Sequence, residues 1–139
     1  MTSIPAAGSI VIADITGDAV VRIPTGASVL AAAEALVAHD VGVVVVGDEV
    51  RPVALISERD IVRAVAAARD LATTPATEVA SSNLVWCAPD TTVEQAALRM
   101  ADKHIRHLLV GDEGAVSAIV SARDLLGVYA SEAVRADFD

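Results

Sequence analysis

Two stretches decide the fold: Ala54–Ile61, which reads ALISERDI, and Ala118–Leu125, which reads AIVSARDL. Each is an apolar run that ends in Ser-x-Arg-Asp and then continues into further apolar residues. Corresponding residues lie 64 positions apart, as Ser57 and Ser121 do. A repeat of fixed period is typical of an architecture built from copies of one supersecondary unit.

The repeat extends far beyond these two stretches. The same shift aligns Val46–Glu49 with Val110–Glu113 and, further upstream, Asp14-Ile15 with Glu78-Val79. It therefore covers nearly the whole chain after the first dozen residues. A single copy of about 64 residues would be marginally stable, whereas two copies together can bury a core of ordinary size.

The composition limits the possible functions. The 139 residues carry a formal net charge of −9, which argues against binding to nucleic acid or to an anionic membrane surface. The single Cys87 cannot form an internal disulfide, which favours a reducing compartment. The N-terminus lacks the pattern of a signal peptide, and the apolar run 41–46 is too short to cross a bilayer. We therefore expect a soluble, cytoplasmic protein.

Hydrophobic periodicity and helix-capping residues predict the order β-α-β-β-α in each copy, which is an α+β fold. The predicted helices are Val29–His39, Glu58 to about Asp70, Val93–Lys103 and Ala122–Ser131 or beyond. Their predicted N-caps include Ser28, Ser57 and Thr92, and Thr92 is followed by Gln95 at capping-box spacing. The predicted strands are Ala19–Ile23, Val43–Val46, Pro52–Ile56, Leu84–Cys87, His107–Val110 and Val116–Val120. Turns are predicted at 47–49 and 111–114. The predicted domain boundaries are 10–70 for the first repeat, 71–77 for a linker and 78–133 for the second repeat.

The Ser-x-Arg-Asp sequence has a structural and a functional interpretation. Serine at a strand-to-helix junction is a common N-cap, and aspartate in the first turn complements the helix dipole. Capping alone does not require the Arg59 and Arg123 that stand beside the aspartates. A helix N-terminus also favours phosphate, and an aspartate can accept hydrogen bonds from a ribose diol. The recurrence of the sequence in both copies therefore also indicates a nucleoside site.

These stretches resemble the Gly-h-x-Ser/Thr-x-x-Asp motif (h, apolar) that ends each unit of a CBS domain pair, or Bateman module. The resemblance covers roughly residues 10–131 and includes the opening segments 14–17 and 78–81, which are similar to the family's Asp-Ile-Met-Thr. Ala54 and Ala118 stand where the motif has glycine. The added methyl groups are expected to narrow the pockets.

The resemblance implies a fold, a ligand class and a set of contacts. It implies two repeats related by an approximate two-fold axis, with AMP, ADP, ATP or S-adenosylmethionine bound in clefts between them as a regulatory ligand, and no other cofactor. It implies that the aspartates hold ribose hydroxyls, that the serines contact ribose or phosphate, and that backbone at 20–21 and 84–85 contacts adenine. The expected ligand-binding residues are Ser57, Arg59, Asp60, Ser121, Arg123, Asp124, Arg106, His107, Val20, Val21, Leu84 and Val85.

The two copies differ in one basic cluster. Lys103, Arg106 and His107 stand where the first copy has His39, Gly42 and Val43. Cations are favoured near a helix C-terminus, so a solvated helix end is one interpretation. The other is that Arg106 and His107 face a phosphate. This would resemble the His-Arg pair that contacts phosphates in the nucleotide-sensing subunit of AMP-activated kinase.

Three further expectations concern the class of protein. A serine with His39, His104 or His107 could form a nucleophile pair, but the sequence has no Gly-x-Ser-x-Gly elbow and no metal-ligand spacing, so no enzyme is expected. The wide apolar faces of the two helices that follow Ser57 and Ser121 predict a homodimer. The expected role is regulation of an unidentified effector protein. A ligand-free CBS dimer that acts by contact alone is the alternative.

Overall fold

Two three-stranded sheets organise the chain in the computed structural model, which describes residues 7–15, 20–47, 51–112 and 115–138. Each sheet carries its own helices and its own apolar core. Residues 16–17 of the first opening segment, and most of the predicted turns at 47–49 and 111–114, lie outside the described residues.

The first sheet has β2 at its centre. Its strands are β1 (Arg22–Ile23), β2 (Val43–Val46) and β3 (Ala54–Ser57). Strand β1 runs parallel to β2, and β3 runs antiparallel to it, with Val43 opposite Ser57. All four residues of β2 are valines and all four are buried. This agrees with the preference of β-branched side chains for a strand covered on both faces.

Three helices accompany the first sheet: α1 (Val29–His39), α2 (Glu58–Ala66) and the single turn α3 (Ala76–Val79). Helix α1 begins as predicted, because Ser28 Oγ accepts a hydrogen bond of 3.0 Å from the Ala31 N–H. Helix α2 is shorter than the predicted 58–70. It ends because Ala68 adopts a left-handed conformation with φ of 58°, which cannot continue a right-handed helix.

The second sheet repeats this plan. Its strands are β4 (Trp86–Cys87), β5 (His107–Asp112) and β6 (Ala115–Ser121), and its helices are α4 (Val93–Lys103) and α5 (Ala122–Phe138). Helix α4 has the predicted bounds and the predicted capping box between Thr92 and Gln95. It ends at His104 with φ of 56°, and α1 ends at the corresponding Asp40 with φ of 51°. The repeat therefore extends to backbone conformation, although neither position is a glycine.

The opening segment of each repeat packs against the other repeat's helix start. The Ile12 N–H donates to the Thr91 carbonyl at 2.7 Å, and the Val93 N–H donates to the Ile10 carbonyl at 2.8 Å. The corresponding bonds join Ala76 to Ala27 at 2.8 Å and Val29 to Thr74 at 2.9 Å. The chain accordingly forms two compact units. Within the described residues, the first unit comprises 20–47, 51–84 and 115–116, and the second comprises 7–15, 85–112 and 117–138.

Each core contains residues from the opening segment of the other repeat. Ile12 is fully buried in the core of the second unit, beside Val93 and Leu108. Ala76 is fully buried in the core of the first unit, and Leu71 packs against the same core. The segment predicted as a linker, residues 71–77, thus contributes to the core of the first unit.

Candidate functional site

The start of helix α2 joins Ser57 and Asp60 in a reciprocal cap. The Asp60 N–H donates to Ser57 Oγ at 3.3 Å, and Asp60 Oδ2 accepts from the Ser57 N–H at 2.9 Å. The Ser57 hydroxyl also donates to Asp60 Oδ2 at 3.1 Å. These bonds explain why serine and aspartate occur at this spacing: they satisfy N–H groups that the first helical turn leaves unpaired.

The start of helix α5 has the same geometry. The Ser121 N–H donates to Asp124 Oδ2 at 2.9 Å, and the Asp124 N–H donates to Ser121 Oγ at 3.1 Å. A carboxylate has two oxygens and about four lone-pair positions, so the cap leaves acceptor capacity on each aspartate. The structural and functional interpretations of Ser-x-Arg-Asp are therefore compatible, because the cap fixes the carboxylate without exhausting it.

The topology of the first sheet brings two of the predicted contact segments to the same end. Strand β1 starts, β2 starts and β3 stops at this end, because β1 is parallel and β3 antiparallel to β2. The Val21 carbonyl, just before β1, accepts a hydrogen bond of 2.9 Å from the Val45 N–H. Ser57 lies opposite Val43 at the end of β3. The backbone at 20–21 and the Ser57–Asp60 cap therefore flank the same end of one sheet.

The second sheet places the basic cluster at the equivalent end. The Val85 carbonyl accepts a 2.9 Å hydrogen bond from the Leu109 N–H. The first N–H of helix α5, that of Ala122, donates to the Arg106 carbonyl at 2.8 Å. In the first unit the corresponding bond joins Glu58 to Gly42 at 3.2 Å. The residue whose carbonyl accepts the first N–H of the helix is thus an arginine in the second unit and a glycine in the first.

The remaining expected residues are exposed or half-buried. Arg59 and Arg123 are exposed in the first turns of α2 and α5, and Arg106 is exposed as well. The others are half-buried: His107 at the start of β5, Val20 before β1, and Leu84 before β4. The structure assigns 20, 21, 57, 59, 60 and 84 to the first unit and 85, 106, 107, 121, 123 and 124 to the second.

The alanine that replaces the motif glycine points into the core. In β3, Ala54 and Ile56 are buried and alternate with the half-buried Leu55 and Ser57. Ala54 is 2% exposed and belongs to the core of the first unit. Because alternate residues of a strand point to opposite faces, its methyl group lies on the face away from Ser57. The expectation that this methyl narrows a pocket at Ser57 is therefore wrong for the first unit.

A groove beside Asp60 contains two cationic residues that the sequence reading did not include. It has a volume of about 220 Å³ and is lined by Asp60, Arg63, Ala64, Ala67, Arg69 and Val79. Arg69 Nη2 forms an ion pair with Glu78 Oε2 of α3. The spacing of Asp60 and Arg63 was a usable signal, because residues three apart are neighbours on a helix surface. The position of Arg69 depends on how the chain turns after α2.

The structure gives little support to other chemistry. Burial raises the pKa of the Cys87 thiol, and the Arg99 guanidinium and a hydrogen bond with Thr91 act in the opposite direction. The neutral thiol is a poor nucleophile. Among the described residues, no group of three or more His, Cys, Asp or Glu side chains is placed to hold a metal ion. No helix within those ranges is long and apolar enough to cross a membrane.

Comparison with known families identifies the architecture. The family model of the CBS domain matches the chain twice, over residues 12–67 and 76–131. The chain belongs to the CBS-domain family. The prediction of two CBS repeats in an α+β fold is therefore confirmed, and the two sheets with their helices are these repeats.

Three individual proteins are similar to this chain. The CBS domain protein PAE2072 from Pyrobaculum aerophilum, solved in complex with AMP, is 32% identical with a TM-score of 0.77, over 87% of this chain and 99% of that one. The CBS-domain protein ATU1752 from Agrobacterium tumefaciens is 28% identical with a TM-score of 0.77, over 86% and 98%. The uncharacterized protein MK0525 of Methanopyrus kandleri is 33% identical over 93 residues. That match covers 65% of this chain and 47% of the relative, so the chain spans about half of that relative's length.

Proposed function

We propose that this CBS domain pair is a regulatory module that binds an adenosine-containing ligand, with AMP as the first candidate. The main support is the pair of capped aspartates, Asp60 and Asp124, each held by its serine in the same geometry. A carboxylate fixed in this way accepts ribose hydroxyls without first having to be ordered, which lowers the entropic cost of binding. The 32% identical relative solved with AMP supports the same ligand class.

The proposed contacts follow from the two sheet ends. In each repeat the aspartate would hold ribose hydroxyls, and the backbone before the first strand would contact the adenine edge. In the second repeat Arg106 would contact the phosphate, because its backbone is bonded to the start of α5. A helix start with a cationic side chain beside it attracts an anion, even on a chain of net charge −9. The module would change the activity of a partner protein and would not itself catalyse a reaction.

We further propose that the protein works as a homodimer. Helix α2 exposes Val62 and Val65, which are 65% and 58% accessible, and helix α5 exposes Leu126, which is 68% accessible. Tyr129 on α5 is also exposed. Contiguous apolar residues of this kind on a helix surface are typical of protein interfaces. The second copy of the chain would cover these residues.

Thermal unfolding with and without nucleotides tests the ligand proposal. AMP at about 100 times its Kd should stabilise the protein by about 2.7 kcal/mol, which raises Tm by several degrees. The double variant Asp60→Asn/Asp124→Asn should lose this rise, because an amide accepts ribose hydroxyls less strongly than a carboxylate does. Its Tm without ligand should change little, since asparagine can still accept the capping hydrogen bond.

A control and a contradicting result complete this test. Asp90→Asn, at an exposed position after the end of β4 and so at the opposite end of the second sheet from the α5 start, removes one negative charge and should keep the full AMP response. If AMP, ADP, ATP, S-adenosylmethionine and adenosine all leave the Tm of the wild-type protein unchanged, the ligand proposal is wrong. The ligand-free scaffold, in which the aspartates serve only as caps, would then be the better description.

A further inference from the structure

The groove beside Asp60 distinguishes the first repeat from the second. Arg63 and Arg69 line it, and the positions 64 residues later are Gly127 and Ala133. The second repeat thus has no cation at either corresponding position, whereas its Arg106, just before β5, corresponds to Gly42 of the first repeat. The first repeat therefore has a cationic surface of its own next to its aspartate.

The two arginines differ in their present partners. The Arg63 side chain makes no hydrogen bond or ion pair with any residue in the part of the chain that the structure describes. Arg69 is paired with Glu78, and both side chains are substantially exposed to solvent. An ion pair in such a position is weak and exchanges readily. A phosphate group is a strong competitor for Arg69, because guanidinium groups bind phosphate oxygens through parallel, charge-assisted hydrogen bonds.

The size of the groove limits what it can hold. Its volume of about 220 Å³ is smaller than the roughly 300–1,000 Å³ of sites that enclose a whole small molecule. The side chains that form its apolar surface are small, Ala64, Ala67 and Val79. It therefore suits one end of a ligand, and the combination of two guanidinium groups with one carboxylate suits a phosphate next to a hydroxylated sugar.

We propose that this groove binds the phosphate end of a phosphorylated ligand, with Arg63 and Arg69 on the phosphate and Asp60 on a sugar hydroxyl. The proposal rests on the function proposed above and assigns the first repeat a phosphate contact that its Gly42 and Val43 do not supply. It also makes Glu78 a competitor: the phosphate replaces the Glu78 carboxylate on Arg69. Glu78 lies on α3, in the opening segment of the second repeat, so ligand binding there would release one tie between that segment and Arg69 of the first repeat.

Site-resolved NMR titration of the full chain tests the proposal, using AMP, adenosine and inorganic phosphate as probes. Affinities are taken from the backbone amide shifts of residues 63, 64, 67 and 69, so binding in the second repeat does not interfere. Arg63→Gln and Arg69→Gln should each weaken AMP about 10-fold and leave adenosine nearly unchanged. Glu78→Gln should tighten AMP binding, because the competing carboxylate is gone. Arg51→Gln, an exposed arginine outside the groove, should behave as wild type.

The contradicting results are distinct from those of the ligand proposal. If AMP binds but these amides do not shift, or if its affinity is unchanged in both arginine variants, the groove is not the phosphate site. If neither AMP nor adenosine binds anywhere, the adenosine proposal fails, and the phosphate titration decides about the groove. Saturable phosphate shifts that Arg63→Gln weakens would then support the anion site, and the absence of such shifts would overturn it.

Discussion

At the scale of single residues, the Ser-x-Arg-Asp sequence caps a helix and leaves an acceptor for the proposed ligand. Asp60 and Asp124 complete helix caps, and each retains carboxylate lone pairs beyond those bonds. A ligand role for these residues therefore has no cost in helix stability. The cap also holds the carboxylate in one orientation, which is what a ribose-binding acceptor requires.

Arg106 provides the sharpest residue-level prediction. Arg106→Ala should weaken AMP binding in the second repeat roughly 10- to 100-fold, because one charge-assisted hydrogen bond to phosphate is lost. Adenosine, which has no phosphate, should be affected much less. Calorimetric titration of the variant with AMP and adenosine side by side measures both. Equal losses for the two ligands would show that Arg106 does not act through phosphate.

At the scale of elements, the helices that follow the two caps have wider apolar faces than one core requires. Ile61 and Ala64 of α2 face the core of the first unit, and Leu125 and Val128 of α5 face the core of the second. Val62, Val65 and Leu126 remain exposed on the same helices. A helix with apolar residues beyond one stripe is usually covered on more than one side.

Charge placed on these exposed positions should therefore separate the subunits. We expect Val65→Glu and Leu126→Glu to convert a dimer into a monomer, because each would bury an unpaired carboxylate in an apolar interface. Light scattering coupled to size-exclusion chromatography measures the mass. Val53→Glu, at an exposed position before β3 on no helix, should keep the dimer mass. A monomer mass for the unmodified protein would refute the dimer itself.

At the scale of the whole molecule, the compact units do not follow the sequence repeats. Residues 10–15 pack with 85–112, and residues 71–79 pack with the first sheet. Each unit is thus completed by a segment that precedes the other repeat in the chain. Each core therefore contains residues of both repeats, and its stability depends on both.

A substitution at Ile12 tests whether the opening segment of the first repeat belongs to the core of the second unit. Ile12→Ala removes a fully buried side chain from the second unit and should destabilise that unit by about 2–5 kcal/mol. Native-state hydrogen exchange should show faster exchange at 108–110 of β5 and little change at 44–46 of β2. Equal losses in both sheets, or a loss confined to β2, would contradict the assignment of residues 10–15 to the second unit.

Local features of the fold could be read from the sequence. The caps at Ser28, Ser57 and Thr92 and the bounds of α1 and α4 were predicted, because hydrogen bonds within four residues determine them. The end of α2 was not predicted. The alanine-rich sequence has a strong helix propensity, yet Ala68 adopts a left-handed conformation that ends the helix. The predicted β1 (19–23) and β4 (84–87) are longer than the observed strands, because only two residues of each pair with β2 or β5.

The sequence by itself determined the repeat, the α+β class, the helix caps and the residue types at the two helix starts, since each depends on periodicity or on contacts close along the chain. Only the tertiary structure decided which core receives each opening segment, where the Ala54 methyl points, and that Arg69 lies across a groove from Asp60. These depend on contacts between residues distant in sequence, whose free energy comes from burial of apolar surface. Burial is nearly non-directional, so a pattern of apolar residues does not specify its partner.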